Sequence, residues 1–198
     1  MAYNRKDYYF NKAKKQNFAA RSVYKLEEIN KRLRIIKGGD QILDLGAAPG
    51  SWSQYCSAAI GPAGRVLGID LQKIEISLPN GHFVQGDIHE ANWPELIAQF
   101  GLKEKFEVVI SDMAPNTTGI KITDQARSLE LCEMAFQAAC DFLKPGGHFV
   151  CKVFESGDTK AFRDKVGMRF KKIEIIRPKS TRKESIEFFL IGISFIAD

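Results

Sequence analysis

From Ala19 to Ile36 apolar residues recur at helical spacing, at Val23, Leu26, Ile29, Leu33 and Ile36, which predicts an amphipathic helix stopped by Gly38-Gly39. The pattern then changes. Short apolar runs rich in β-branched residues predict strands at Gln41–Leu45, Arg65–Asp70, His82–Gln85, Phe106–Ser111, Gly147–Phe154, Lys171–Ile176 and Ile186–Phe195. Helices are expected between them, near residues 51–60, 90–100, 124–143 and 158–167, with turns at Gly61-Pro62-Ala63-Gly64 and Lys144-Pro145-Gly146-Gly147. Strands alternating with helices imply an α/β fold, a seven-stranded and mostly parallel sheet with helices on both faces. Ligands of such sheets bind beyond the carboxyl ends of the strands. No internal repeat, low-complexity tract or second domain is visible.

The stretch Asp44-Leu45-Gly46-Ala47-Ala48-Pro49-Gly50-Ser51-Trp52 reads as a buried strand turning through small residues into a helix. Gly46 permits a tight turn, and Gly50 is expected to let backbone approach a ligand where a side chain would collide. A dinucleotide fingerprint wants G-x-G-x-x-G, whereas here Pro49 removes a backbone N–H that a pyrophosphate would need. Asp70 ends the second strand, where α/β nucleotide-binding proteins place a carboxylate for ribose hydroxyls. Asp87 ends the third strand in the same way, and an Asp there also suits a helix N-cap.

Composition narrows the class. With 198 residues, 44% hydrophobic and 27% charged, the chain suits one domain with a substantial core. No apolar run reaches the ~18 residues of a membrane helix, and the N-terminus lacks a signal-peptide segment, so a cytoplasmic protein without membrane contact is expected. Cys56, Cys132, Cys140 and Cys151 show no C-x-x-C spacing, and the three histidines form no cluster, so neither a metal site nor a disulfide is expected.

Charge is segregated along the chain. Residues 1–37 carry a net +8 and residues 160–183 another +8, while residues 38–159 carry −8. One basic segment is usually a solvated face; two converging on one side make a footprint for a polyanion. In residues 1–20, Tyr3, Tyr8, Tyr9, Phe10 and Phe18 are interleaved with Arg5, Lys6, Lys12, Lys14 and Lys15. This reads as a flexible arm whose cations suit phosphates and whose rings suit unpaired bases. Residues 1–37 are therefore expected to face RNA, and residues 38–198 to form the core.

Two residues break the apolar pattern. Lys152 lies inside His148-Phe149-Val150-Cys151-Lys152-Val153-Phe154, and lysine is almost never buried without a partner. Glu187 repeats the anomaly within Ile186-Glu187-Phe188-Phe189-Leu190-Ile191.

The strings D-L-G-A-A-P-G, followed by Trp52-Ser53-Gln54, and Ser111-Asp112-Met113-Ala114-Pro115-Asn116 resemble motifs of the FtsJ/RrmJ family of S-adenosylmethionine-dependent RNA ribose 2′-O-methyltransferases. The resemblance implies a class I methyltransferase (Rossmann-like) sheet and S-adenosyl-L-methionine as cofactor. It implies cofactor contacts at Gly46, Gly50, Trp52, Asp70, Asp87 and Asp112, with Asp87 on the adenine amino group and Asp112 near the methionine end. In the implied strand order Asp112, Lys152 and Glu187 stand on adjacent strands, ~4.8 Å apart. The resemblance also implies that Lys25, in Arg21-Ser22-Val23-Tyr24-Lys25-Leu26, completes a catalytic K-D-K-E tetrad; without it Lys25 reads as a surface lysine. Glu184 is a nearby alternative acid, and Glu187 is preferred because it falls inside the strand.

Desolvation and Lys25 would lower the pKa of Lys152, and Asp112 and Glu187 would raise it, so the pattern leaves open whether Lys152 takes the proton or positions the hydroxyl. Similarity to stand-alone bacterial members implies a uridine of the large-subunit (23S) ribosomal RNA, within the ribosomal subunit, and a monomeric enzyme. Methylation of transfer RNA or messenger caps, a non-catalytic RNA-binding or ribosome-assembly role, and methylation of small molecules or proteins are the alternatives.

Overall fold

A computed structural model describes residues 5–182 and 184–197, with side chains from Tyr8 onward. Tyr3 and Lys183 lie outside the described residues, as do the side chains of Arg5 and Lys6. The chain runs α1 (Arg5–Lys15), α2 (Val23–Leu33), β1 (Gln41–Leu45), α3 (Ser51–Ile60), β2 (Arg65–Asp70), β3 (Gly81–Gln85), α4 (Trp93–Gln99), β4 (Phe106–Ser111), α5 (Lys121–Phe142), β5 (Leu143–Phe154), α6 (Thr159–Gly167), β6 (Phe170–Ile176) and β7 (Glu187–Phe195). The sheet order is β3-β2-β1-β4-β5-β7-β6. β1 to β5 pair in parallel, and β7 inserts antiparallel between β5 and β6.

Each sheet face is buried, as continuous apolar runs demand. One layer packs Leu43, Leu45, Val109, Phe149, Cys151 and Leu190 against α5 and α6. The other packs Ile42, Val66, Ile110, Val150, Phe189 and Ile191 against α2 and α3. Because side chains alternate along a strand, Lys152 and Phe154 share the α2/α3 side with Val150. The antiparallel register sets Lys152 opposite Phe189 and Phe154 opposite Glu187.

Several boundaries moved, each for a local reason. α4 begins at Trp93 because Pro94 is tolerated only in a first turn. α2 ends at Leu33 because Arg34 adopts a left-handed conformation, φ 52°, and caps onto the Asn30 carbonyl. The Lys144-Pro145-Gly146-Gly147 turn sits inside β5 as an interruption: Leu143 pairs with Phe106, and pairing resumes at His148 with Val108. Residues 5–15, expected as a flexible arm, are helical and docked. Tyr9 and Phe18 pack on Tyr24 with ring centroids 5.4 and 6.3 Å away, and Ala13 is buried with them. The aromatic spacing that suggested stacking on bases is thus partly a packing stripe, and only Tyr8 and Phe10 point outward among its described members.

Candidate active site

A cleft of about 450 Å³ opens beyond the carboxyl ends of β1, β2, β3 and β4, lined by Gly46, Ala48, Asp70, Asp87, Asp112 and Met113, with Leu71 and Ile88 among its apolar walls. Gly46 is required twice over. Its φ is +72°, and a Cβ there would meet the Met113 Cγ at 2.2 Å. Asp70 props the turn: its carboxylate accepts from the backbone N–H of Ala48 at 2.9 Å and of Gln72 at 2.8 Å. A carboxylate offers about four lone-pair sites, so acceptor capacity remains for a ligand. Asp87 accepts from the His89 N–H at 2.8 Å, the cap-like role open to it from sequence, and still lines the cleft.

Two further expected cofactor contacts, Gly50 and Trp52, stand at the head of α3. The cleft's lining reaches Ala48, and Gly50 and Trp52 follow directly after Pro49 as the chain enters α3. Gly50 has φ +104°, and the atom that a Cβ would strike is Ile76 Cδ1 at 2.3 Å, the protein's own side chain. Trp52 is buried. Its indole N–H donates to the Ser22 carbonyl at 3.0 Å, and its ring lies 5.6 Å from that of Phe189. It is the floor between α2, α3 and β7.

Asp44 was overlooked, although an acid inside Gln41-Ile42-Leu43-Asp44-Leu45 is the same anomaly that marks Lys152. It is fully buried on β1 and accepts from Ser53 Oγ at 2.6 Å. Burial pushes its carboxyl up to about 7; the Ser53 bond opposes this, and the charges of Asp112 and Asp70 add to it.

The residues that break the strand pattern meet at one place. Asp112 follows the last residue of β4, Lys152 lies on β5 and Glu187 starts β7, three neighbouring strands. Lys152 is 7% exposed; its Nζ lies 3.0 Å from Asp112 Oδ1 and donates to the Asp112 carbonyl at 2.5 Å. Lys25, reaching down from α2, pairs with Glu187 at 2.6 Å and lies 5.7 Å from the centre of the Phe189 ring. Burial opposes ionisation of Glu187, but Lys25 and Lys152 outweigh it and hold the carboxyl below its usual range. One buried and one half-buried cation thus stand against two carboxylates, compensated in pairs. Glu184 is exposed and lies outside this row.

The two basic segments also meet. The backbone N–H of Lys179 donates to Glu28 at 2.8 Å, and the Arg21 guanidinium donates to the Ser180 carbonyl at 2.8 Å. A groove there is lined by Tyr9, Lys12, Tyr24, Lys31, Arg32 and Lys179, with Glu27 and Glu28 between them. Cys56, Cys132 and Cys151 are buried as thiols, and Cys132 and Cys151 both donate to the Lys152 carbonyl.

The model of the FtsJ-like methyltransferase family matches residues 18–195. The ribosomal RNA large subunit methyltransferase E of Bdellovibrio bacteriovorus is 53% identical over 194 residues, covering 98% of this chain and 99% of that protein. Its counterpart from Desulfatibacillum aliphaticivorans is 48% identical, covering 96% and 90%. Among solved structures, a Plasmodium falciparum chain described as a ribosomal RNA methyltransferase superposes with a TM-score of 0.78 at 25% identity, covering 91% of this chain and all of that one. Aeropyrum pernix fibrillarin, crystallised with S-adenosyl-L-methionine, shares the fold at a TM-score of 0.54 and 20% identity, covering 80% and 68%. Matched over nearly its whole length, the chain belongs to the FtsJ-like methyltransferase family.

Proposed function

We propose that the protein transfers a methyl group from S-adenosyl-L-methionine to a ribose 2′-hydroxyl of large-subunit ribosomal RNA. The observation that carries this is the row Asp112, Lys152, Glu187 and Lys25 at the mouth of an acid-lined cleft. A cationic nucleoside suits that cleft. Asp70 and Asp87 offer acceptors to hydroxyl and amino groups, Leu71, Ile88 and Met113 offer apolar contact to a flat base, and Asp112 sets an anion opposite a cationic centre. Bound there, the cofactor supplies an activated methyl group; the chain's own residues supply orientation and proton handling.

A ribose hydroxyl is a poor nucleophile until it is held in line and relieved of its proton. Lys152 is the member of the row next to both carboxylate-bearing strands, and we assign it to the 2′-oxygen, holding it and taking part in removal of its proton. Asp112 fixes Lys152 through two contacts, and Lys25 and Glu187 fix each other beside it. The pairing keeps the row rigid before RNA arrives, which lowers the ordering cost of reaching the reactive geometry.

RNA is the partner that the charge pattern favours. The basic segments meet beside the row, where Arg21 bonds the Ser180 carbonyl and the Lys179 N–H bonds Glu28, and such cations suit phosphate contacts to an RNA already shaped by its surroundings. The proposal extends to a uridine within the ribosomal subunit, a monomeric enzyme, and a cytoplasmic location; among the described residues no helix is long and apolar enough to cross a membrane. The test is transfer of labelled methyl from S-adenosyl-L-methionine to large ribosomal subunits and to deproteinised RNA, followed by mapping of the modified nucleoside. A 2′-O-methyluridine formed in subunits is expected; a base-methylated product, or no transfer to either substrate, overturns the reading.

A further inference from the structure

A cavity of about 520 Å³ opens directly beside the row, sharing Lys25 and Glu187 with it and lined further by Arg21, Ser22, Arg182 and Glu184. Its charges do not cancel. Glu187 is already engaged by Lys25 at 2.6 Å, which among the described residues of the lining leaves two guanidinium groups beside the exposed carboxylate of Glu184. Arg21 is held in place by its bond to the Ser180 carbonyl at 2.8 Å, so its charge is fixed at the wall and does not sweep through solvent. Burial and the charge of Arg182 both work against protonated Arg21, with Glu187 and Tyr9 offsetting them. An anion seated between the two arginines relieves that repulsion, and a guanidinium fork matches phosphate oxygens.

The covalent structure of RNA says which phosphate this is. The 2′-oxygen and the 3′-phosphate hang from adjacent ring carbons, whereas the 5′-phosphate hangs from the far side of the sugar. A nucleotide whose 2′-oxygen meets Lys152 therefore has its 3′-phosphate as the nearest anion to a cavity that borrows its wall from the same row. We propose that Arg21 and Arg182 clamp the phosphodiester on the 3′ side of the methylated ribose, as positioning residues for the in-line attack. This rests on the ribose-methylation reading above. It implies that an internal nucleotide is selected over a 3′-terminal one, which carries no such phosphate.

The test combines methyl transfer with a simple anion probe. Wild type, Arg182→Gln and Arg182→Lys are compared on large ribosomal subunits lacking the modification, across a salt series, and each is titrated with uridine 3′-monophosphate, uridine 5′-monophosphate and uridine. Arg182 is chosen because it is exposed, so its replacement spares the core. Expected is a roughly 10- to 100-fold loss of kcat/KM for Arg182→Gln, partial rescue by lysine, and a salt dependence reduced by about one phosphate contact. The 3′-monophosphate should bind wild type more tightly than the 5′-monophosphate or uridine, and lose that preference in Arg182→Gln. Active wild type with unchanged Arg182→Gln kinetics and no 3′ preference overturns the clamp alone. Wild type that methylates no RNA but binds the 3′-monophosphate through Arg182 overturns ribose methylation and keeps the anion site; loss of both overturns both.

Discussion

The acid-lined cleft and the basic rim compensate their charges in opposite ways. In the cleft, Asp70 and Asp87 are braced by backbone N–H groups and Asp112 by Lys152, so acceptors converge on the space inside. At the rim, Arg21, Arg182, Lys12, Arg32 and Lys179 outnumber their acids. The row of four lies on the boundary and is internally neutral. On the proposed function, the difference teaches how one small domain would separate two substrates: a cationic methyl donor drawn to one side, a polyanion to the other, and the reacting atoms meeting where neither field dominates.

The comparison breaks most sharply at Asp112, which belongs to both regions. Asp112→Asn removes an anion from the cleft and the partner of a buried lysine, and should lower single-turnover methyl transfer by about 100-fold or more. Asp70→Ala touches only the cleft. Calorimetric titration should show cofactor affinity falling roughly 10- to 100-fold while RNA affinity stays unchanged.

Asp44→Asn tests the buried edge of the same cleft through pH. The folded chain binds the Asp44 proton more readily than the unfolded one, so this group's contribution to stability is complete below the ordinary carboxylate range and is lost as pH rises through about 7. The substituted chain carries no such titration. Its stability relative to wild type should rise between those limits by up to ~1.4 kcal/mol per pH unit and then level off, as read by urea denaturation across a pH series. Trp52→Phe gives the smallest effect. It forfeits the hydrogen bond to Ser22 and costs ~1 kcal/mol of stability; calorimetric titration of the same variant identifies Trp52 as a cofactor contact if affinity also falls and as a packing residue if it does not.

The parts legible in sequence were those fixed by local pattern. β1, β2 and β4 match their apolar runs residue for residue, because a strand buried on both faces tolerates few interruptions. The same intolerance made Lys152 and Glu187 conspicuous, and it applied equally to Asp44. What depended on direction in space was lost. The resemblance assigns Trp52 and Gly50 to the cofactor turn, but only the fold shows that Trp52 also bonds Ser22 beside α2 and that Gly50 lies against Ile76. Lys25 illustrates the other limit. On an amphipathic helix it reads as a surface lysine, and only the crossing of α2 over β7 brings it to Glu187. The docking of α1 was hidden because Tyr9 and Phe18 find their shared partner, Tyr24, on the following helix.

The account stands most directly on Lys152. Single-turnover methyl transfer to unmodified large ribosomal subunits, measured for wild type and Lys152→Ala alongside cofactor affinity, isolates the chemical step from binding. A fall of roughly 10²- to 10⁴-fold in rate, with cofactor affinity unchanged and the wild-type product mapped to a ribose 2′-oxygen, is the predicted result. Transfer by Lys152→Ala within about threefold of wild type, a loss too small for a residue at the reacting oxygen, would contradict it.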